Sequence, residues 1–137
     1  MIGRLDELNQ LERFYNSSKF EFLTMYGRRR IGKTTILREF AGRHKALFFS
    51  AQEKNDSLNL LDFSKMVQTF FEGSFISSFQ NWEAAFEYIT GKISDKKLVL
   101  IIDEFPFLAE PNPSIKSILQ HTIDHVWKGK NIFLILC

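Results

Sequence analysis

One stretch constrains this chain more than any other: Gly27-Arg28-Arg29-Arg30-Ile31-Gly32-Lys33-Thr34-Thr35. Before it lies a run with strand character, Phe20-Glu21-Phe22-Leu23-Thr24-Met25-Tyr26. After it, Leu37, Phe40 and Ala41 share one helical face, with Gly42 near the helix end. A strand that turns through glycines straight into a helix can point successive main-chain N–H groups at one spot. The helix adds its unpaired N-terminal N–H groups and the positive end of its dipole at the same spot. Gly27 and Gly32 are expected to permit backbone geometry that a Cβ would obstruct. Lys33 brings a point charge and Thr34 a hydroxyl, so the whole stretch is suited to holding a polyanion.

The spacing Gly27-x-x-x-x-Gly32-Lys33-Thr34 matches the P-loop (Walker A) pattern at every fixed position, in the strand–loop–helix context that pattern requires. On this reading residues Gly27, Arg28, Arg29, Arg30, Ile31, Gly32, Lys33, Thr34 and Thr35 bind the phosphates of a nucleotide. Lys33 reaches the outer phosphates, Thr34 ligates Mg²⁺, and Thr35 supports the inner phosphate. Arg28, Arg29 and Arg30 occupy variable positions and read as a solvated basic rim. They point to phosphate in general and do not single out DNA.

Far downstream, Leu98-Val99-Leu100-Ile101-Ile102 is a wholly apolar run that ends in Asp103-Glu104. In open α/β sheets ligands bind outside the carboxyl ends of the strands, which is where this run delivers its acids. This is a Walker B pattern, in which Asp103 is expected to hold Mg²⁺ through its water shell and Glu104 to orient and activate the attacking water. A G protein would carry Asp-x-x-Gly here and an Asn-Lys-x-Asp motif later. This chain has Asp103-Glu104-Phe105-Pro106 and no Asn-Lys-x-Asp, so the pair suggests a hydrolytic ATPase.

The remaining residues supply the elements around these motifs. Leu5, Leu8, Leu11 and Tyr15 predict an amphipathic helix ending near Asn16-Ser17-Ser18. Ala46-Leu47-Phe48-Phe49-Ser50 predicts a buried strand. Leu60, Phe63, Val67, Phe70 and Phe71 predict a helix that Gly73 stops, and Asn81 caps another bearing Trp82, Ala85, Phe86 and Ile89. Pro106, Pro111 and Pro113 are expected to keep the next stretch irregular. Ser114 then opens a helix bearing Ile115, Ile118, Leu119, Thr122 and Val126, which Gly129 ends before the apolar strand Ile132–Leu136. Strands apolar on both faces, alternating with helices, indicate a parallel sheet covered on both sides.

A length of 137 residues suits one domain, spanning 1–137, and 45% hydrophobic residues are enough for a packed core. The net charge of +2 gives no strong reason to expect a nucleic-acid or membrane partner. The lone cysteine, Cys137, forms no internal disulfide, no apolar run approaches the ~20 residues of a spanning helix, and the start lacks the apolar stretch of a secretory signal. Those features lead to the expectation of a soluble, cytoplasmic protein. The chain stops at an apolar strand that needs cover on both faces, so a truncated protein, or a piece of a longer one, is expected.

Taken together, Ile2-Gly3-Arg4-x-x-Glu7-Leu8, Tyr26 to Thr34, and Ile102-Asp103-Glu104-Phe105-Pro106 resemble the archaeal-type ATPases, AAA-like proteins within the STAND group of P-loop ATPases. The resemblance covers nearly the whole chain. It implies a three-layer α/β P-loop fold of the ASCE type, with a parallel sheet in the order 5-1-4-3-2, here cut off after strand 4. Strand 1 would be residues 20–26, strand 2 46–50, strand 3 97–102 and strand 4 131–136. It further implies that Gly3-Arg4 and the first helix lie near the adenine, and that ATP and Mg²⁺ are the cofactors. Family members continue with a polar sensor, a fifth strand, a helical lid, and winged-helix or nuclease-like regions through which nucleic acid would be reached; none of these is in this sequence. The outer edge of strand 1 would then lack its neighbour and is expected to be a self-association site.

Three readings of function follow. The chain is an ATP- and Mg²⁺-binding module of an ATPase whose full-length form hydrolyses ATP to drive a conformational switch. Alternatively it binds nucleotide without turnover, or it is a DNA-associated or scaffold factor. His44, His121 and His125 lack the Cys or acidic partners of a familiar zinc pattern and read as surface or packing residues. Trp82, Phe86 and the aromatic residues of 60–71 read as core, and Gln120 and Asp124 as helix-surface residues.

Overall fold

The computed structural model describes residues 2–25 and 31–137, with side chains from residue 6 in the first stretch and from residue 32 in the second. Helix α1 (Ile2–Asn16) leads into strand β1 (Glu21–Thr24), and helix α2 (Ile31–His44) into strand β2 (Leu47–Ser50). Helices α3 (Asp56–Glu72) and α4 (Trp82–Thr90) precede strand β3 (Leu98–Asp103). A short helix α5 (Pro106–Ala109), helix α6 (Ser114–His125) and a 3₁₀ turn (Trp127–Gly129) precede strand β4 (Ile132–Leu136). The strands form one all-parallel sheet in the order β1-β4-β3-β2. This is the 1-4-3-2 part of the expected order, within the three-layer α/β arrangement of P-loop proteins.

The layers follow from the two-residue period of the strands. In β3, Val99 and Ile101 face α1 and α2, as do Phe133 and Ile135 of β4. Leu100 and Ile102, with Ile132 and Leu134, face α3, α4 and α6 on the other side. Both central strands are therefore buried on both faces, which is why they read as continuous apolar runs. Phe40 of α2 fills one layer edge-on against Phe133, and Phe63 of α3 fills the other against Phe49, Trp82 and Phe86. Trp82 and Phe86 are thus core residues. The edge strand β1 is less covered, and Phe22 is 42% exposed.

Asn81 caps α4 and Gly73 ends α3 as the sequence indicates, and Asn55 caps α3 in the same way as Asn81. Asn55 accepts from the Leu58 N–H at 3.0 Å, and Asn81 from the Ala84 N–H at 2.8 Å. Gly73 ends α3 at φ 79, a left-handed backbone that a side chain would disfavour. Two expectations are corrected. The stretch after Glu104 is not wholly irregular, because Pro106 begins α5: its fixed φ and missing N–H suit the first turn of a helix. Nor does Gly129 end α6. The helix stops at His125, and the chain turns so that Trp127 buries its ring edge-on to Phe86 and donates its indole N–H to Thr90 Oγ1 at 2.8 Å.

Candidate functional site

All four strands are parallel, so their carboxyl ends, Thr24, Ser50, Asp103 and Leu136, share one rim of the sheet. Helix α2 begins at this rim. A cleft of about 950 Å³ opens there. Lys33 and Thr34 line one wall, Ser50, Asp103 and Glu104 the floor, and α5 and α6 the far wall through Pro106, Ala109, Lys116 and Gln120.

The structure brings Thr34 and Asp103 together across 69 positions of sequence. The Thr34 hydroxyl donates to Asp103 Oδ2 at 3.3 Å. Asp103 is only 4% exposed, and its other oxygen, Oδ1, accepts the Glu104 N–H at 3.0 Å. Its own carbonyl accepts from the Ala51 N–H at 3.0 Å, which ties the ends of β2 and β3. Glu104 leaves the strand at φ 58, a conformation unusual for a side-chain-bearing residue, and so turns from β3 into the cleft. A buried carboxylate and a hydroxyl converging on one point are hard oxygen donors of the kind magnesium accepts. A lysine amine on the same wall is suited to anionic oxygens.

Gly27, Arg28, Arg29 and Arg30 lie outside the described residues, as do the side chains of Arg4 and Ile31. Within the described part, Gly32 is helical, and a Cβ built on it would meet no atom within 4 Å. Packing among the described residues gives no steric reason for glycine at Gly32; the loop that precedes it lies outside them. Thr35 is exposed at the start of the second turn of α2. Gln120 lines the cleft and donates to Asp124 Oδ1 at 3.0 Å, while both residues remain on the surface of α6. His44 is a packing residue, stacked on Tyr15 at 3.7 Å with its Nε2 2.8 Å from Glu12 Oε1. The rings of His121 and His125 lie 4.3 Å apart on α6.

Ser50 and Cys137 also line the cleft, at strand ends that no motif marks. Ser50 is the last residue of β2, in register with Asp103. Cys137 follows β4 and lines the cleft with Asp103 and Lys33. Burial, reinforced by the Asp103 carboxylate and opposed by Lys33, pushes its thiol up to about 11, so it stays protonated at neutral pH. Each is a polar residue at the carboxyl end of an apolar run. That is the same signal that picked out Asp103.

Among the described residues, no helix is long and apolar enough to cross a membrane. The family described as "ATPase domain predominantly from Archaea" matches residues 1–137. An uncharacterized protein of Methanocaldococcus jannaschii is 32% identical over 98% of this chain, which corresponds to 29% of that protein. A second uncharacterized protein of that archaeon is 36% identical over 38% of this chain and 50% of its own length. A third protein of that archaeon, named an uncharacterized ATP-binding protein, is 41% identical over 32% of this chain and 75% of its own length. The chain thus spans less than a third of the length of the first of these relatives and half of the second. With a match over every residue, a parallel sheet in the order β1-β4-β3-β2 and an acid-lined cleft at its carboxyl rim, this chain belongs to the family of ATPase domains found predominantly in Archaea.

Proposed function

We propose that residues 1–137 are the N-terminal part of a P-loop ATPase domain, and that the rim cleft binds ATP with Mg²⁺. The observation that carries this reading is the 3.3 Å approach of Thr34 Oγ1 to Asp103 Oδ2 in a cleft shared with Lys33. In P-loop ATPases a hydroxyl at this point of the loop and a carboxylate at the end of the Walker B strand serve one metal ion. Here Thr34 and Asp103 would hold Mg²⁺, which when bound neutralises phosphate charge. Lys33 and the main chain of Gly27 to Thr35 would hold the phosphates. Glu104, turned into the cleft by its left-handed backbone, would accept a proton from the attacking water. The name of the ATP-binding relative and the family match both favour nucleotide over other phosphates.

The switch that hydrolysis would drive belongs to the longer protein, in which loss of the γ-phosphate releases contacts around the loop. A reducing, cytoplasmic setting suits the free Cys137 thiol. The outer edge of β1, which pairs only with β4 among the described strands, supports self-association along that edge, which sedimentation equilibrium at rising concentration would detect. The test of the reading is ATP binding and phosphate release on one sample. Glu104→Gln is expected to keep binding and lose release, and Lys33→Ala to lose both. Release that persists in Glu104→Gln would remove Glu104 from the mechanism.

A further inference from the structure

The far wall of the cleft holds a cation to which the proposed function gives no part. Helix α6 turns Lys116, Leu119, Gln120 and Ile123 to the cleft, at the spacing of one helical face. The start of this helix is fixed in place. Asn112 donates its side-chain amide to Asp56 Oδ1 at 3.3 Å, its Oδ1 accepts the Ser114 hydroxyl at 2.9 Å, and its carbonyl accepts the Ile115 N–H at 3.1 Å. Ile115 is itself buried in the core. Lys116 therefore carries its charge on a long flexible stem that springs from a fixed point. The other groups of this wall do not supply a cation. The Gln120 amide nitrogen is turned to Asp124 at 3.0 Å, and Asp124 in turn pairs with Lys128 at 3.4 Å. Glu110 is an acid, and Pro106, Ala109, Leu119 and Ile123 bring no polar side chain. Three carboxylates line the cleft, Asp103, Glu104 and Glu110, yet Lys116 has no ion pair among the described residues. Its charge is left for a ligand.

Chain order sets the order of groups across the cleft. Lys33 and Thr34 lie on the α2 wall, Asp103 and Glu104 end β3 on the floor, and Phe105 and Pro106 lead directly from there into α5 of the far wall. A nucleotide whose inner phosphates sit against residues 27–35 extends its terminal phosphate over the acids, so the far wall faces that end alone. We propose that Lys116 is a specificity-determining residue: its ammonium meets the terminal phosphate of a nucleoside triphosphate from the side opposite Lys33, so that the cleft favours triphosphate over diphosphate. The inference rests on the ATP reading of the same cleft. A hydrogen bond between charged groups is worth roughly tenfold or more in affinity. Lys116 is exposed and solvent screens it, so about fivefold is expected.

The test titrates wild type, Lys116→Met, Lys116→Arg and Lys130→Met with fluorescent analogues of ATP and of ADP in saturating Mg²⁺. Circular dichroism first establishes that each variant is folded, and Lys116→Gln stands in should the methionine variant fail. Lys130 is exposed and does not line the cleft, so its replacement removes the same charge elsewhere. Lys116→Met is expected to weaken the ATP analogue about fivefold and to leave the ADP analogue within about twofold. Lys116→Arg keeps the charge and should keep the preference for triphosphate within about twofold, as should Lys130→Met. An unchanged ratio of the two affinities in Lys116→Met overturns the proposal. So does an equal loss for both analogues, an equal fall of the ratio in Lys130→Met, or a wild type that holds the two analogues equally. Wild type that binds the ATP analogue with Mg²⁺ but gives any of these results defeats this assignment alone. Wild type that binds neither analogue defeats the nucleotide reading and this assignment with it.

Discussion

Replacing Asp56 tests how the far wall of the cleft is held in place. Asp56 sits in the first turn of α3, and its Oδ1 accepts two donors: the Trp82 indole N–H at 2.9 Å and the Asn112 side-chain amide at 3.3 Å. One carboxylate oxygen thus joins α3, α4 and the connection between α5 and α6. Trp82 is only 2% exposed, so water cannot easily replace the lost acceptor in Asp56→Ala. An unsatisfied buried donor costs about 1–3 kcal/mol. Loss of an acid from a helix N-terminus adds about 0.3–1 kcal/mol. The expected destabilisation is therefore about 1.3–4 kcal/mol, or a fall in Tm of roughly 4–16 °C for a chain of this size. Asp56→Asn retains Oδ1 and loses only charge, so it should cost less than about 1 kcal/mol. Urea unfolding followed by the emission of the two tryptophans, both buried, measures each change. A double-mutant cycle with Trp82→Phe, which lacks the N–H, isolates the coupling. Equal destabilisation by Ala and Asn, or no coupling in the cycle, would refute the reasoning.

Three further outcomes are expected. Lys97 is 7% exposed and donates to Ser17 Oγ at 3.2 Å and to the Lys19 carbonyl. Burial holds its pKa below the ordinary 10.5, against a smaller opposing pull from Glu21. The unfolded chain therefore keeps this proton to higher pH than the folded one, so stability rises with pH between the folded-state pKa and 10.5. Relative to Lys97→Met, wild type should gain stability across that window and show a constant difference near neutrality; urea midpoints over a pH series that run parallel throughout would contradict this. Asp103→Asn keeps the acceptor for the Glu104 N–H, so it should change stability by less than about 1 kcal/mol while reducing Mg²⁺ enhancement of nucleotide affinity roughly 10- to 100-fold. Paired melts and nucleotide titrations check both halves. Phe63→Ala, among the rings of Phe49, Trp82 and Phe86, should cost about 3–5 kcal/mol in the same urea assay.

The parts legible in the sequence are those governed by short-range rules. Leu98–Ile102 and Ile132–Leu136 are apolar because each is buried on both faces, and a run of that kind reads directly as a central parallel strand. Asn55, Gly73 and Asn81 act on neighbours within a few residues, and Gly73 and Asn81 could be placed from sequence alone. The misread elements depend on distant partners or on position. Pro106 breaks a helix interior but opens α5, and nothing local tells the two situations apart. Helix α6 stops where it does because Trp127 is drawn to Thr90 and Phe86. In the cleft, Lys33, Thr34, Asp103 and Glu104 were legible because a spacing pattern and an apolar strand terminus mark them. Ser50 and Cys137 reach the same place through strand register and the bonds to Ile102 and Phe105. Those relations appear only when the sheet order is known. Gly32 is the reverse case, since the pattern marks it but packing among the described residues does not explain it.

The most direct test is isothermal calorimetry of the wild-type chain with ATP, with and without Mg²⁺, beside Lys33→Ala. Saturable one-site heat that strengthens with Mg²⁺ and vanishes in Lys33→Ala is the predicted result. No heat from any purine triphosphate, with or without the cation, would contradict the account at its root.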